Sequence, residues 1–150
     1  YSITEKSEET VFCGFSLGGL SAFDIVWNHP QIFGKVGVFS GSFWWRQKAY
    51  QDHYSDQTDR IAHNLVRNDT KKTGLKFWLQ TGTDDEKEDR NKNGIIDSID
   101  DTLDLIAELE KKGYKKEDDI KYVEVEGGQH NQETWSAIMP DFLKWAFETK

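Results

Sequence analysis

Gly14-Phe15-Ser16-Leu17-Gly18-Gly19 contains the pattern Gly-x-Ser-x-Gly, and the residues on either side give that pattern its meaning. A short apolar run ends at Cys13, and an apolar-periodic segment continues over residues 20–27. When this pattern lies between a strand and a helix, it exposes the serine hydroxyl at the tip of a sharp turn. Glycines flank the serine because larger side chains would collide with neighbouring backbone. The context predicts a nucleophile at Ser16; the alternative is a Gly/Ser-rich connection without chemistry.

The length and charge of the chain limit the classes of protein to which it can belong. The 150 residues suit one domain with its own core, and the net charge of −8 argues against a nucleic-acid partner. No run of about 18 apolar residues occurs, so we expect no membrane span. The one cysteine, Cys13, cannot form an internal disulfide, and its apolar surroundings predict a small buried side chain.

Beyond the Ser16 turn, apolar runs typical of strands alternate with segments of helical period. The strands are predicted at residues 10–13, 36–39, 75–80 and 120–125, and the helices at 17–27, 102–112 and 132–147, the last bent or divided at Pro140. The polar segment 49–68 is expected at the surface. This alternation predicts an α/β fold, with a mostly parallel sheet and helices on both faces of one domain over residues 1–150. Only thirteen residues precede Gly14, whereas a serine turn of this kind belongs in mid-sheet, so we expect further strands upstream and read the chain as a C-terminal portion.

Small or polar loops follow the predicted strands: Ser40-Gly41-Ser42, residues 81–85 and residues 127–130. In an open α/β sheet, ligands bind beyond the carboxyl ends of the strands, so these loops should converge with Ser16. A serine nucleophile needs a base and an orienting acid, and His130, behind two glycines, is the best base. The other histidines, His29, His53 and His63, are expected to be structural or solvated. For the acid, the residues alone leave Asp84 and Asp85 nearly equal, with Asp85 favoured.

Together these pieces resemble the putative esterase family of the α/β-hydrolase superfamily, which includes esterase D, enterochelin esterases and feruloyl esterases. The matching segments, in family order, are residues 14–19, 29–30 with Phe33, 40–44, 82–85, and 128–130 with Trp135. The resemblance implies carboxylic ester hydrolysis through an acyl-enzyme, with Ser16 as nucleophile, His130 as base and Asp85, the last residue of Gly-Thr-x-Asp, as acid. Within this chain it assigns only the Leu17 backbone N–H to the oxyanion hole.

A second motif predicts a structural metal. Residues 89–100 fit a twelve-residue Ca²⁺ loop with glycine at position 6. The predicted ligands are the side chains of Asp89, Asn91, Asn93, Asp97 and Asp100 and the carbonyl of Ile95. Aspartate at position 12 resembles the loops of dockerin modules, and the entering helix of an EF-hand is expected to be absent. The alternative is a solvated loop that caps a helix starting near Thr102. Calcium of modest affinity favours an exported protein, and no cofactor is predicted for catalysis.

Large aromatic residues are expected at the mouth of the site. Phe43, Trp44 and Trp45 follow the second strand, and Trp135 follows His130. Trp44, Trp45 and Trp135 are predicted to stack on a sugar or an aromatic acyl group; the alternative is packing in the core. The substrate is therefore expected to be a small-molecule or glycan ester, including siderophore-type esters. Two other functions stay open: acyl transfer to an alcohol, and a non-catalytic, calcium-stabilised binding or scaffold module.

Overall fold

Four parallel strands form one sheet in the order β1-β2-β3-β4 in the computed structural model, which describes residues 4–148. The strands are β1 (Val11–Phe15), β2 (Lys35–Phe39), β3 (Lys76–Asp84) and β4 (Ile120–Gln129), and the helices are α1 (Leu17–Asn28), α2 (Ile61–Asn68), α3 (Asp97–Lys111) and α4 (Gln132–Phe147). Single 3-10 turns occupy Ser7–Glu9 and Tyr50–Asp52. Because all strands are parallel, their carboxyl ends meet at one edge of the sheet. The predicted α/β fold is confirmed.

Helices cover both faces of this sheet, and the side chains of β3 show how. Phe77 and Leu79 belong to the larger core, shared with α1, α2 and α3, whereas Trp78 belongs to a second core under α4. This alternation follows from the two-residue repeat of a strand. β1 has no neighbour on its outer side in the described sheet, and Cys13 is exposed there. The prediction of a buried Cys13, made from its apolar neighbours in the sequence, was wrong because β1 lies at the edge of the described sheet.

The last two strands are longer than predicted. β3 continues to Asp84 and β4 to Gln129, through residues that the sequence suggested were loops. The backbones approach closely here, since a Cβ atom placed on Gly82 would lie 2.2 Å from the carbonyl oxygen of Gly128. The pairing shifts register between Gly82 and Asp84, so the strands stay paired through the irregularity. Glycines that look like loop formers therefore serve strand pairing.

Two helix predictions also need correction. α3 begins at Asp97 rather than near Thr102, and Asp97 and Asp100 lie in its first turn, where acidic side chains favour the positive end of the helix dipole. α4 is continuous through Pro140, so the alternative in which Pro140 divides the helix was wrong. Pro140 is exposed, where water can bond to the carbonyl that loses its N–H partner. Among residues 4–148, no helix is both long and apolar enough to cross a bilayer.

Part of the polar segment 49–68 is buried, contrary to expectation. Arg60 is 4% exposed, and its guanidinium donates to Asp101 at 2.6 Å and to Asp104 at 2.6 Å. His63, expected to be solvated, is buried, and its Nε2 lies 2.8 Å from the Asp101 carbonyl oxygen. Burial lowers the pKa of His63 to about 4, which keeps the imidazole neutral at pH 7. Ion pairs from Arg60, the residue directly before α2, to α3, some 40 residues further along the chain, therefore let a polar segment pack inward.

Candidate active site

Ser16 stands alone between β1 and α1 in a conformation that few residues adopt. Its φ is 55° and its ψ is −125°, and its N–H donates to the Phe39 carbonyl oxygen at 2.9 Å. The turn is tight because β1 and α1 nearly touch: a Cβ atom on Gly14 would lie 2.1 Å from the carbonyl oxygen of Gly18. Strained backbone of this kind costs about 1–3 kcal/mol and is concentrated at functional sites. The geometry therefore holds the Ser16 hydroxyl at the strand's carboxyl end.

The first turn of α1 lies directly behind this hydroxyl. Leu17 is the first helical residue, so its N–H has no acceptor within the helix. Ser42, after β2, lies on the other side: the two hydroxyl oxygens of Ser16 and Ser42 are 3.5 Å apart, and the Ser42 N–H donates to the Ser16 carbonyl at 3.2 Å. Ser16 is thus flanked by a helix N-terminus and by the loop after β2.

The structure separates the two candidate acids by burial. Asp84 is exposed at the end of β3, whereas Asp85 is 8% exposed. The Ser40 hydroxyl donates to Oδ1 of Asp85 at 3.0 Å, and the Gly82 N–H donates to Oδ2 at 3.0 Å. Burial raises the pKa of Asp85, while the two hydrogen bonds and the charge of His130 act in the opposite direction. A carboxylate held from both oxygens in this way has a defined orientation.

The best candidate base, His130, lies in the short link between β4 and α4. The link is fixed by two hydrogen bonds: the Gln129 N–H donates to Thr134 Oγ1, and the Thr134 N–H donates to Asn131 Oδ1, both at 2.9 Å. The second of these bonds is the N-cap of α4, with Asn131 as the capping residue. His130 itself is exposed, and its ring packs edge-on against Trp135 with centroids 5.2 Å apart.

The other histidines lie elsewhere. His29 is the C-cap of α1, His53 is exposed in a left-handed conformation after the turn Tyr50–Asp52, and His63 packs against α3. None of them follows the carboxyl end of a strand, so His130 is the histidine that the fold brings to the Ser16 edge.

Ser16, Asp85 and His130 lie at the same edge of the sheet, after β1, β3 and β4. Trp135 connects them: its ring centroid is 5.2 Å from that of Phe15, beside Ser16, and its Nε1–H donates at 2.9 Å to Ser40, which contacts Asp85. Within residues 4–148, His130 forms no hydrogen bond with either of the other two side chains. The predicted residues are therefore brought together at one edge without being joined directly.

Two apolar grooves border this edge. The Trp135 groove has a volume of about 590 Å³ and is lined mainly by Phe15, Trp135, Met139, Pro140 and Leu143. The Trp45 groove has a volume of about 510 Å³ and is lined mainly by Leu20, Phe23, Trp45, Ile61 and Leu65.

The predicted aromatic contacts differ in exposure. Trp45 is 43% exposed and Trp44 is half-buried beside it, whereas Phe43 is buried in the core against Phe23. Trp44 and Trp45 therefore remain available to a ligand, and Phe43 serves packing.

The predicted calcium loop folds as a tight turn with Gly94 at φ 88° and no helix before it. Asn91 and Asn93 donate side-chain N–H groups to the Asp100 carboxylate at 3.0 and 2.8 Å, and Asp89 accepts the Asn93 and Gly94 N–H groups. Four predicted ligands thus gather at one place. Asp97 differs, because its carboxylate is buried and paired with Arg90.

No group of three or more His, Cys, Asp or Glu side chains that could hold a metal is found among residues 4–148. The oxygen-rich donors of the loop, two carboxylates and two amides, nevertheless suit a hard cation once each amide turns its oxygen inward. Calcium at residues 89–100 therefore stays a prediction.

Comparison with known proteins agrees with the fold. Over 147 residues the chain is 21% identical to the Bacillus subtilis (strain 168) protein YbbA, a match that covers 98% of this chain and 52% of YbbA. A stretch of 75 residues, 50% of this chain, is 32% identical to the iron(III) enterobactin esterase of Dickeya dadantii (strain 3937) and covers 17% of it. The crystal structure of the enterobactin esterase of Shigella flexneri in the presence of enterobactin matches with a TM-score of 0.72 at 23% identity, over 97% of this chain and 32% of that one.

The chain thus spans about half the length of YbbA and smaller shares of the other two. A family model described as Putative esterase matches residues 2–146, nearly the whole chain. The resemblance inferred from the motifs is confirmed: the chain belongs to the putative esterase family of α/β-hydrolase fold.

Proposed function

We propose that this chain carries the catalytic residues of a serine carboxylic-ester hydrolase, with Ser16 as nucleophile, His130 as base and Asp85 as acid. The observation that carries the proposal is the strained Ser16, at φ 55°, on the strand-to-helix turn of a member of an esterase family. Its position beside the N-terminus of α1 supports the same conclusion, because helix N–H groups stabilise an oxyanion.

In the proposed acylation step, the Ser16 oxygen bonds to the ester carbonyl carbon while His130 takes the hydroxyl proton. The carbonyl oxygen becomes an oxyanion that accepts a hydrogen bond from the Leu17 N–H. When the tetrahedral intermediate collapses, the bond to the alcohol oxygen breaks and His130 gives its proton to the departing alcohol. Water then attacks the acyl-enzyme by the same route and releases the acid, which regenerates Ser16.

Asp85 is proposed to orient His130 and to stabilise the imidazolium that forms. Its carboxylate is already held by Ser40 and Gly82, and the charge of His130 lowers the pKa of Asp85 against the effect of burial, so the two groups lie within electrostatic reach. Hydrogen bonds of a catalytic site often become short only when substrate binds. We therefore expect His130, exposed at the edge, to move into hydrogen-bonding distance of both Ser16 and Asp85 in the complex.

The substrate is proposed to be an ester with a flat or apolar acyl part, of the siderophore type or linked to a carbohydrate. The Trp135 groove is the proposed acyl site, because Phe15 precedes Ser16 in the chain and Trp135 contacts His130. The Trp45 groove begins at Leu20, whose N–H donates to the Ser16 carbonyl, so Trp45 and its neighbour Trp44 are proposed as further substrate contacts.

Labelling with a fluorophosphonate tests the nucleophile directly. The Ser16 oxygen should displace fluoride from phosphorus, and fragment spectra of the peptide that spans residues 7–35 should place the added mass on Ser16 rather than on Ser7 or Ser21. Heat-unfolded protein should remain unlabelled, since the reactivity depends on the assembled site. A folded chain that stays unlabelled would favour the non-catalytic module, and ester products formed with added alcohols would favour acyl transfer.

We also propose that residues 89–100 bind a structural Ca²⁺. Asp89, Asn91, Asn93 and Asp100 would hold the ion with the carbonyl of Ile95, and Asp97 would join them after leaving Arg90. The ion would brace the segment that follows Asp85, which lies four residues before Asp89. A site with two neutral amide ligands is expected to be weak, which suits the calcium concentrations outside cells and supports the further proposal that the protein is exported.

Calcium is expected to raise the melting temperature by about 5–10 °C when its concentration is about 100 times its dissociation constant. Differential scanning fluorimetry with EGTA and then with excess CaCl₂ measures the shift. Asp100→Asn should abolish the shift, because it removes one of the carboxylates proposed to hold the ion. Without the ion, the Asp100 carboxylate accepts hydrogen bonds from the side chains of Asn91 and Asn93. The matched control is Asp118→Asn, in the exposed turn before β4. Equal melting temperatures in EGTA and in calcium would refute this site.

A further inference from the structure

Ser40 lies between an indole and a carboxylate at the catalytic edge. The Trp135 Nε1–H donates to Ser40 Oγ at 2.9 Å, and the Ser40 O–H donates to Asp85 Oδ1 at 3.0 Å. Ser40 is 2% exposed, so water does not compete for these bonds. A hydroxyl is a side-chain group that can accept one hydrogen bond and donate another at the same time, and both capacities are used here.

The backbone of Ser40 is held in one unusual position. Its φ is +46°, in the left-handed region that side chains other than glycine rarely adopt, and its N–H donates to the Gln80 carbonyl oxygen at 2.8 Å. Keeping a serine there costs conformational energy that a glycine would avoid. A strained serine whose hydroxyl touches the candidate acid indicates that the hydroxyl is needed.

Trp135 brings the other parts of the site to this hydroxyl. It lies in the first turn of α4, behind the Asn131 cap that also fixes His130. Its ring packs against Phe15 at 5.2 Å and against the His130 ring at 5.2 Å, while its N–H reaches Ser40. One side chain therefore contacts the strand that leads to the nucleophile, the base and, through Ser40, the acid.

We propose that Ser40 and Trp135 are positioning residues, which hold the Asp85 carboxylate in a single orientation toward His130 through the Trp135–Ser40–Asp85 hydrogen-bond chain. This inference rests on the proposed function and deepens it, since neither residue touches the reacting atoms. Gly82 holds the second carboxylate oxygen by its N–H, so the acid is fixed at both ends.

The Trp135–Ser40–Asp85 hydrogen-bond chain should also influence how Asp85 titrates. The titratable groups that face Asp85 are His130, from the link after β4, and Tyr122 of β4. Burial raises the pKa of Asp85, and the Ser40 hydrogen bond opposes that rise. Removing the hydroxyl should therefore raise the pKa of Asp85. A residue with a merely structural role would leave this titration unchanged.

Ser40→Ala is the first test, with p-nitrophenyl acetate as substrate and the pH dependence of kcat/KM as readout. We expect kcat to fall by about 10- to 100-fold with little change in KM, as for loss of a hydrogen bond to a charged group. The acid limb of the profile should move to higher pH. Ser40→Gly, which relieves the backbone strain but also lacks the hydroxyl, should reproduce both effects. It replaces Ser40→Ala as the test variant if Ser40→Ala does not fold.

Trp135→Phe removes the indole N–H and keeps a ring against Phe15 and His130, so it should show a smaller loss in the same direction. Its matched control is Trp27→Phe, because the Trp27 Nε1–H also donates to a carboxylate, Asp69 at 3.0 Å, but at the opposite end of α1 from Ser16. The control should leave kcat/KM and its pH profile unchanged. The Ser40→Ala/Trp135→Phe double variant should lose little more activity than Ser40→Ala alone, since Trp135→Phe keeps the ring beside Phe15 and His130 and removes only the N–H that reaches Ser40.

A measurement independent of activity separates this inference from the proposed function. The Asp85 carboxyl carbon, assigned by comparison with Asp85→Asn, can be titrated by ¹³C NMR in the wild type, Ser40→Ala and Trp27→Phe. Its pKa should rise only in Ser40→Ala. A protein that shows this rise yet hydrolyses no ester would refute the esterase and keep the positioning chain. If Ser40→Ala hydrolysed the ester at the wild-type rate, with the Asp85 pKa and the acid limb of the pH profile unchanged, the hydrogen-bond chain alone would be refuted.

Discussion

Replacing Ser16 with alanine is expected to lower kcat for ester hydrolysis by about 10⁴- to 10⁶-fold, because the variant has no atom that can form the acyl-enzyme. In the proposed mechanism His130 and Asp85 cannot compensate, since both act only through the serine oxygen. KM should change little, because the Trp135 and Trp45 grooves do not include the hydroxyl. The measurement is steady-state hydrolysis of p-nitrophenyl acetate by wild-type and variant protein of equal melting temperature.

The matched control for Ser16→Ala is Ser7→Ala. Ser7 precedes β1 and therefore lies at the amino end of the strands, away from the catalytic edge. The Ser7→Ala variant should retain the wild-type kcat and KM. If Ser16→Ala kept more than a tenth of the wild-type kcat, another group would be the nucleophile and the assignment of the site would have to be abandoned.

The parts of the fold that depend on short stretches of sequence could be predicted. The strand, turn and helix around Ser16 follow from glycine spacing and apolar periodicity within about fifteen residues, and the structure reproduces them within two residues at each end. The convergence of residues 16, 85 and 130 also follows from local information, because each comes directly after a strand and parallel strands end at one edge.

The features that sequence missed depend on residues far apart in the chain. Gly82 and Gly128 look like loop glycines until the two backbones are seen to pair. Arg60 looks like a surface residue, and only the approach of Asp101 and Asp104 from α3 makes its burial favourable. Such pairings cannot be derived from composition or periodicity, since they are set by how the elements pack.

The sequence prediction for Trp135 was incomplete for the same reason, because one of its contacts is with a residue far away in the chain. An aromatic residue shortly after His130 suggested a ligand contact, which its place in the groove still supports. Its N–H, however, points to Ser40. The signal for this second role was the pair of serines directly after β2, since a hydroxyl at the end of a central strand lies within reach of a catalytic acid.

Replacing Gly14 with alanine is expected to destabilise the folded chain strongly. The new Cβ atom would lie 2.1 Å from the oxygen and 2.4 Å from the carbon of the Gly18 carbonyl, and backbone atoms cannot rotate away as a side chain can. To make room, α1 would have to leave β1 and take Phe23 and Trp27 out of the core. We expect a loss of more than about 4 kcal/mol, a large part of the 5–15 kcal/mol that stabilises a typical domain. Circular dichroism and urea unfolding measure it.

Gly18→Ala is the matched control in the same turn. Nothing lies within 4 Å of a Cβ atom on Gly18, which is the second residue of α1, and alanine there should stabilise the helix by up to about 1 kcal/mol. The two glycines of the Gly-x-Ser-x-Gly pattern thus differ in their surroundings. A side chain at Gly14 would overlap neighbouring backbone, whereas a side chain at Gly18 would point into open space. If both variants unfolded at the same urea concentration, the strand and the helix would not touch at Gly14, and the strained turn on which the proposed role of Ser16 depends would not exist.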